Sequence, residues 1–144
     1  MEQTTTPPFK KILVVDDNAT DRYIAKRMAE KYYFAEETVL LDSAPEALKY
    51  LLSLEATPDL LPQLIFLDIN MPGMNGFEFL EEYIKFSEII RRNCFIIMIT
   101  SSTHPDDLKR VENIPSVIRF LNKPLDRDKF ELIRLELSLK KQFI

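Results

Sequence analysis

Residues 63–76 read QLIFLDINMPGMNG. Gln63–Asp68 opens the stretch with a short, unbroken apolar run that stops at a carboxylate. A strand buried on both faces has that signature, because neither side of it meets water. The loop that follows, NMPGMNG, holds a proline and both of the chain's glycines, the residues that turn a backbone. Past it, Phe77, Leu80, Tyr83 and Ile84 recur at helical spacing and predict an amphipathic helix. The unit is therefore strand, acidic strand end, loop, helix.

The same unit recurs outward in both directions. Lys11–Asp16 (KILVVD), Thr38–Leu41 (TVLL), Cys94–Thr100 (CFIIMIT) and Val117–Leu121 (VIRFL) read as further strands. Tyr23, Ile24, Met28 and Tyr32 place a helix over Ala19–Tyr33. Ser43 stands three residues before Glu46, with Pro45 between them, and so starts a second helix. Shorter and longer helices are expected over 103–113 and 126–140. The order βαβαβαβαβα implies a parallel sheet covered on both faces, and right-handed crossovers make it a doubly wound (βα)5 α/β sandwich. Residues 1–9 are expected to form a flexible tail and 10–144 one domain.

Composition excludes several classes. A chain of 144 residues whose 2 Gly stand three apart has too few for a dinucleotide fingerprint and the wrong spacing for a P-loop. One Cys and one His exclude a disulfide framework and a multi-histidine or all-cysteine metal centre. A net charge of −4 does not favour direct DNA binding. No apolar run approaches the ~20 residues of a membrane span, and no targeting signal opens the chain, so a cytoplasmic location is expected.

In doubly wound folds, ligands sit beyond the carboxyl ends of the strands. There the sequence puts Asp16, Asp17, Asp68, Thr100, Ser101 and Lys123. Packed carboxylates repel one another, and a divalent cation relieves that repulsion. An oxygen-only donor set favours Mg²⁺ or a similar hard ion, which in turn suits chemistry on phosphate oxygens. Lys123 adds a fixed positive charge, Thr100 a hydroxyl, and a carboxylate can itself form an aspartyl-phosphate.

The motifs VVDDN, LDINMPGMNG, ITSS and FLNKP, in that order and each at a strand end, resemble the receiver domain of two-component response regulators. The resemblance runs from about Lys11 to Lys140. It implies a flavodoxin-like strand order 2-1-3-4-5 and a stand-alone, non-enzymatic signalling module. It implies that Asp68 accepts a phosphoryl group from a histidine kinase or histidine phosphotransfer protein. Asp16, Asp17, Asp68 and the carbonyl of Asn70 would hold Mg²⁺. Lys123 would bridge the acids and the phosphoryl group, with Thr100 and Ser101 beside it. Thr100 and Phe120 would be the switch pair, and Asn70 and Ser102 would tune the lifetime of the phosphoryl group. The Lys123–Pro124 bond is usually cis in the family.

Output is expected by protein–protein interaction, through the face of the fourth helix, fifth strand and fifth helix. On the last helix Phe130, Ile133 and Leu137 share one side at about 100° per residue, and Leu132, Leu135 and Leu139 the other. The second stripe invites a downstream protein or a homodimer. Two other readings remain open. A Mg²⁺-dependent aspartyl-phosphate phosphohydrolase would want an acid two residues after Asp68, where Asn70 stands. A receiver-like adaptor would keep the pocket without being phosphorylated.

Overall fold

The computed structural model describes residues 7–101 and 105–142, with the side chains of 105, 108 and 138–142 outside the description. Ser102, His104 and the side chain of Leu139 thus lie outside the described residues. The elements are β1 (Phe9–Val15), α1 (Ala19–Lys31), β2 (Ala35–Leu41), α2 (Ala44–Ser53), a 3₁₀ turn at Pro58–Leu60, β3 (Leu64–Asp68) and α3 (Gly76–Tyr83). They continue with α4 (Glu88–Asn93), β4 (Phe95–Thr100), α5 (Pro105–Val111), β5 (Val117–Asn122) and α6 (Arg127–Gln142). The five strands pair in parallel in the order β2-β1-β3-β4-β5. This is the expected flavodoxin-like order.

Alternation along the central strands sorts the core into two layers. Leu13, Val15, Ile65, Leu67, Ile96 and Met98 face α2, α3, α4 and α5, meeting Ala47, Leu51, Leu80, Tyr83, Ile90 and Val111. Ile12, Val14, Leu64, Phe66, Ile97 and Ile99 face α1 and α6, meeting Ala25, Ala29, Phe130, Ile133 and Leu137. Every side chain of β3 is buried, the reason its sequence is a continuous apolar run. On α6 the expected division holds: Phe130, Ile133 and Leu137 are buried, while Leu132 and Leu135 are exposed.

Four details differ from the sequence reading. Phe9, assigned to the tail, is the first residue of β1 and is buried. Its ring lies 4.9 Å from that of Phe34, which lies 4.6 Å from Phe130. β2 begins at Ala35, three residues earlier than expected, because it is an edge strand and its first turn shows Glu36 and Glu37 to water. The six-residue helix α4 was not anticipated; a single buried anchor, Ile90, is too little for a periodicity to register. Ile84 follows α3 as its cap and is exposed rather than inward. Because of α4, the expected output face is α5–β5–α6.

α1 ends in a left-handed turn. Tyr33 has φ of 52°, Tyr33 N–H donates to the Glu30 carbonyl at 3.3 Å and Phe34 N–H to the Ala29 carbonyl at 2.9 Å. That is the Schellman pattern, which usually takes glycine at the left-handed residue. This chain places a tyrosine there and keeps its glycines for the loop after β3.

Candidate functional site

The strand order brings the acids together. Val15 pairs with Leu67, so the residues that follow, Asp16 and Asp68, leave the sheet side by side. Asp16, Asp17 and Asp68 each offer a carboxylate oxygen, and these oxygens all lie within 4.8 Å of one another. Asp16 and Asp68 are buried while Asp17 is exposed, so the cluster is open on one side. β4 adjoins β3 and β5 adjoins β4, which adds Thr100 and Lys123 to the same edge. Lys123 N–H donates to the Thr100 carbonyl at 2.8 Å, extending the β4–β5 pairing by one residue. The next peptide bond, Lys123–Pro124, is cis, as expected.

Each buried carboxylate uses both oxygens. Asp16 Oδ1 accepts from Asn18 N–H at 2.9 Å, and Oδ2 takes Lys123 Nζ at 2.8 Å. Asp68 Oδ1 accepts from Asn70 N–H at 3.2 Å, and its Oδ2 is 3.5 Å from Lys123 Nζ. Burial, together with the Asp16 charge, pushes Asp68 up to about 6, against the pull of Lys123. Its carboxylate is therefore still the majority form at neutral pH. For Lys123, burial alone would lower the pKa; hydrogen bonds to Asp16 and Asp21 and the charges of Asp16 and Asp68 outweigh it and push the ammonium higher. Three oxygen donors around a fixed cation, with no nitrogen or sulfur ligand among the described residues, suit a hard divalent ion. The cluster could hold such a metal.

The remaining singled-out residues sit around this cluster. Thr100 is buried, and Asn70 Nδ2 lies 3.4 Å from its hydroxyl oxygen. Ser101 is exposed. Phe120 is half-buried and packs at the margin of the α3–α5 layer, opposite Met98 in the sheet register. Both glycines serve the loop. Gly73 has φ of 78°, a conformation that side chains disfavour. A Cβ on Gly76 would stand 2.8 Å from the Asp68 carbonyl oxygen and 3.0 Å from Ile69 Cα, so α3 approaches the strand end where only hydrogen fits.

Two residues of the site were not anticipated. Asp21 Oδ2 holds Lys123 Nζ at 2.9 Å, and Arg22 Nη1 donates to the Asp16 carbonyl at 2.7 Å. Both belong to the first turn of α1, whose N-cap is Asn18 rather than either aspartate of the Asp16–Asp17 pair. An acid in a first helical turn reads as dipole compensation, which hides its other partner.

The chain matches the family model of the response regulator receiver domain over residues 12–133. It belongs to that family. Asp phosphorylation and Mg²⁺ binding are general features of receiver domains, and members interact with histidine kinases or phosphotransfer proteins. The chain is similar to the "Probable methanogenesis regulatory protein FilR2" of Methanothrix harundinacea, at 34% identity over 79% of this chain and 72% of that protein. It is 30% identical to the two-component response regulator ARR15 of Arabidopsis thaliana over 85% of this chain, but spans 59% of that protein's length. Among solved structures it is similar to a response regulator receiver protein from Dyadobacter fermentans, with a TM-score of 0.78, 29% identity and coverage of 90% and 95% of the two chains. Among the described residues of this receiver domain, no helix is long and apolar enough to cross a membrane.

Proposed function

We propose that this is a cytoplasmic receiver domain, without enzymatic activity of its own, in which Asp68 is the phosphoacceptor. The observation that carries the reading is the cluster of Asp16, Asp17 and Asp68 with Lys123 set into it. An Asp68 carboxylate oxygen attacks phosphorus of a phosphohistidine or small acyl phosphate. A P–O bond to Asp68 forms, and the bond to the donor nitrogen or oxygen breaks. The leaving group keeps that electron pair: an imidazole takes a proton from solvent to leave neutral, whereas a carboxylate leaves as its anion.

Asp16, Asp17, Asp68 and the Asn70 carbonyl are the residues that would hold Mg²⁺, which supplies neutralisation of charge on phosphate oxygens. Lys123 offers its ammonium to the phosphoryl group from the other side, and Thr100 and Ser101 offer hydroxyls. A phosphoryl group adds about −1.5 to −2 charge at a buried site, enough to draw Thr100 in and let Phe120 turn inward. The α5–β5–α6 face, where Leu132 and Leu135 are exposed, then presents a changed surface to a downstream protein.

Incubation with acetyl phosphate and Mg²⁺ tests this. Intact-mass measurement should show one phosphoryl group added to the wild-type chain and none to Asp68→Asn or to an EDTA-treated sample. Stoichiometric labelling of Asp68→Asn would contradict the assignment. A wild-type chain that resists acetyl phosphate and every phosphohistidine donor would favour the adaptor reading.

A further inference from the structure

Lys123 is shared by three carboxylates, and one of them stands outside the acidic cluster. Its Nζ lies 2.8 Å from Asp16 Oδ2, 2.9 Å from Asp21 Oδ2 and 3.5 Å from Asp68 Oδ2. An ammonium has three donors and no acceptor, so these three partners use its full capacity. Asp21 is the third residue of α1, a position whose acid commonly returns a hydrogen bond to the N-cap amide. In α3 that return is made: Glu78 Oε1 accepts from Asn75 N–H at 2.9 Å while Asn75 Oδ1 accepts from Glu78 N–H at 2.9 Å. In α1 half of the arrangement is missing. Asn18 Oδ1 accepts from Asp21 N–H at 2.9 Å, but Asn18 N–H donates to Asp16. The Asp21 carboxylate is thereby released from capping and turned to Lys123. A pocket of about 20 Å³, lined by Asp16, Asp21, Ile24 and Lys123 among others, lies beside the ammonium and has room for about one water.

A divalent cation entering the cluster competes with Lys123 for the carboxylates of Asp16 and Asp68, and the two positive charges repel. We propose that Asp21 is a positioning residue for the cation site. It offers Lys123 a seat on α1, so that the lysine yields the Asp16 and Asp68 oxygens to the metal without losing its own counter-charge. The four-carbon stem of lysine permits that small movement. This inference rests on the cation-site reading above.

A double-mutant cycle on Mg²⁺ affinity, read by calorimetric titration of the full chain without any phosphodonor, tests it. Asp21→Asn should weaken Mg²⁺ binding about three- to tenfold, the range of directly coupled groups. In a Lys123→Met background the same substitution should change affinity by less than about twofold, because the lysine through which Asp21 acts is gone. A loss of equal size in both backgrounds would make Asp21 a remote negative charge and overturn the proposal. So would an unchanged affinity in Asp21→Asn, provided thermal melts show both variants folded. A wild-type chain that bound no Mg²⁺ would overturn the cation-site reading itself, and the proposal with it.

Discussion

The β1–α1 and β3–α3 junctions start from the same design and end differently. Both follow a buried central strand, both put a buried aspartate at the strand end, and both start their helix with an asparagine cap whose third residue is an acid. At β3–α3 the cap closes on itself through Glu78, with Gly73 in the loop and Gly76 as the first residue of the helix. At β1–α1 no glycine intervenes, the cap amide is satisfied by Asp16, and the helix acid reaches across to Lys123. The first junction fixes the backbone on which Asp68 rides. The second sets the charge around the lysine. Similar local motifs thus divide into a rigid support and an adjustable electrostatic partner, and the shorter Asp21 and its tertiary surroundings go with the second role.

The largest expected effect lies in the rigid junction. Gly76→Ala should lower stability by about 1–3 kcal/mol, because the added methyl meets backbone atoms that cannot rotate away. Chemical denaturation measures it, and a neutral result would show that the approach of α3 to Asp68 is looser than described. An effect of opposite sign is expected at the neighbouring strand end. The folded-state pKa of Asp68 is raised above its ordinary value, so folding favours the neutral acid. At pH above about 6 the charged form costs stability; as pH falls through 6 toward 4 that cost disappears. In EDTA, Asp68→Asn should therefore stabilise the chain at pH 7.5 by on the order of 2 kcal/mol, the gain fading toward pH 4. A pH-independent difference would contradict the burial account. The smallest effects separate the two caps. Glu78→Ala should cost about 1 kcal/mol by freeing the Asn75 amide, whereas Asp21→Ala should stay within about 0.5 kcal/mol, its half-buried carboxylate making no bond to the cap amide. Equal losses in thermal or denaturant melts would erase the distinction between the junctions.

What could be read from the chain alone follows from which forces are local. The five strands and the convergence of Asp16, Asp17, Asp68, Thr100 and Lys123 were legible because buried parallel strands write continuous apolar runs, and topology alone then collects their ends. Phe9 escaped because its burial depends on Phe34 and Phe130, far along the chain. Helix α4 escaped because six residues with one anchor show no period. The partnership of Asp21 with Lys123 spans 102 residues and has no local trace beyond an acid where caps ordinarily have one. The sequence already placed both glycines after Asp68; the structure adds that Gly76 meets the Asp68 carbonyl and that Tyr33, not a glycine, takes the left-handed turn after α1.

The central claim is that Asp68, among three clustered aspartates, is the residue that takes the phosphoryl group. Reductive trapping measures it directly: the acetyl-phosphate-treated chain is reduced with borohydride, which converts an aspartyl-phosphate to homoserine, and the digest is sequenced by mass spectrometry. The account predicts homoserine at position 68 alone, dependent on Mg²⁺. Homoserine at Asp16 or Asp17, or trapping that persists in EDTA, would contradict it.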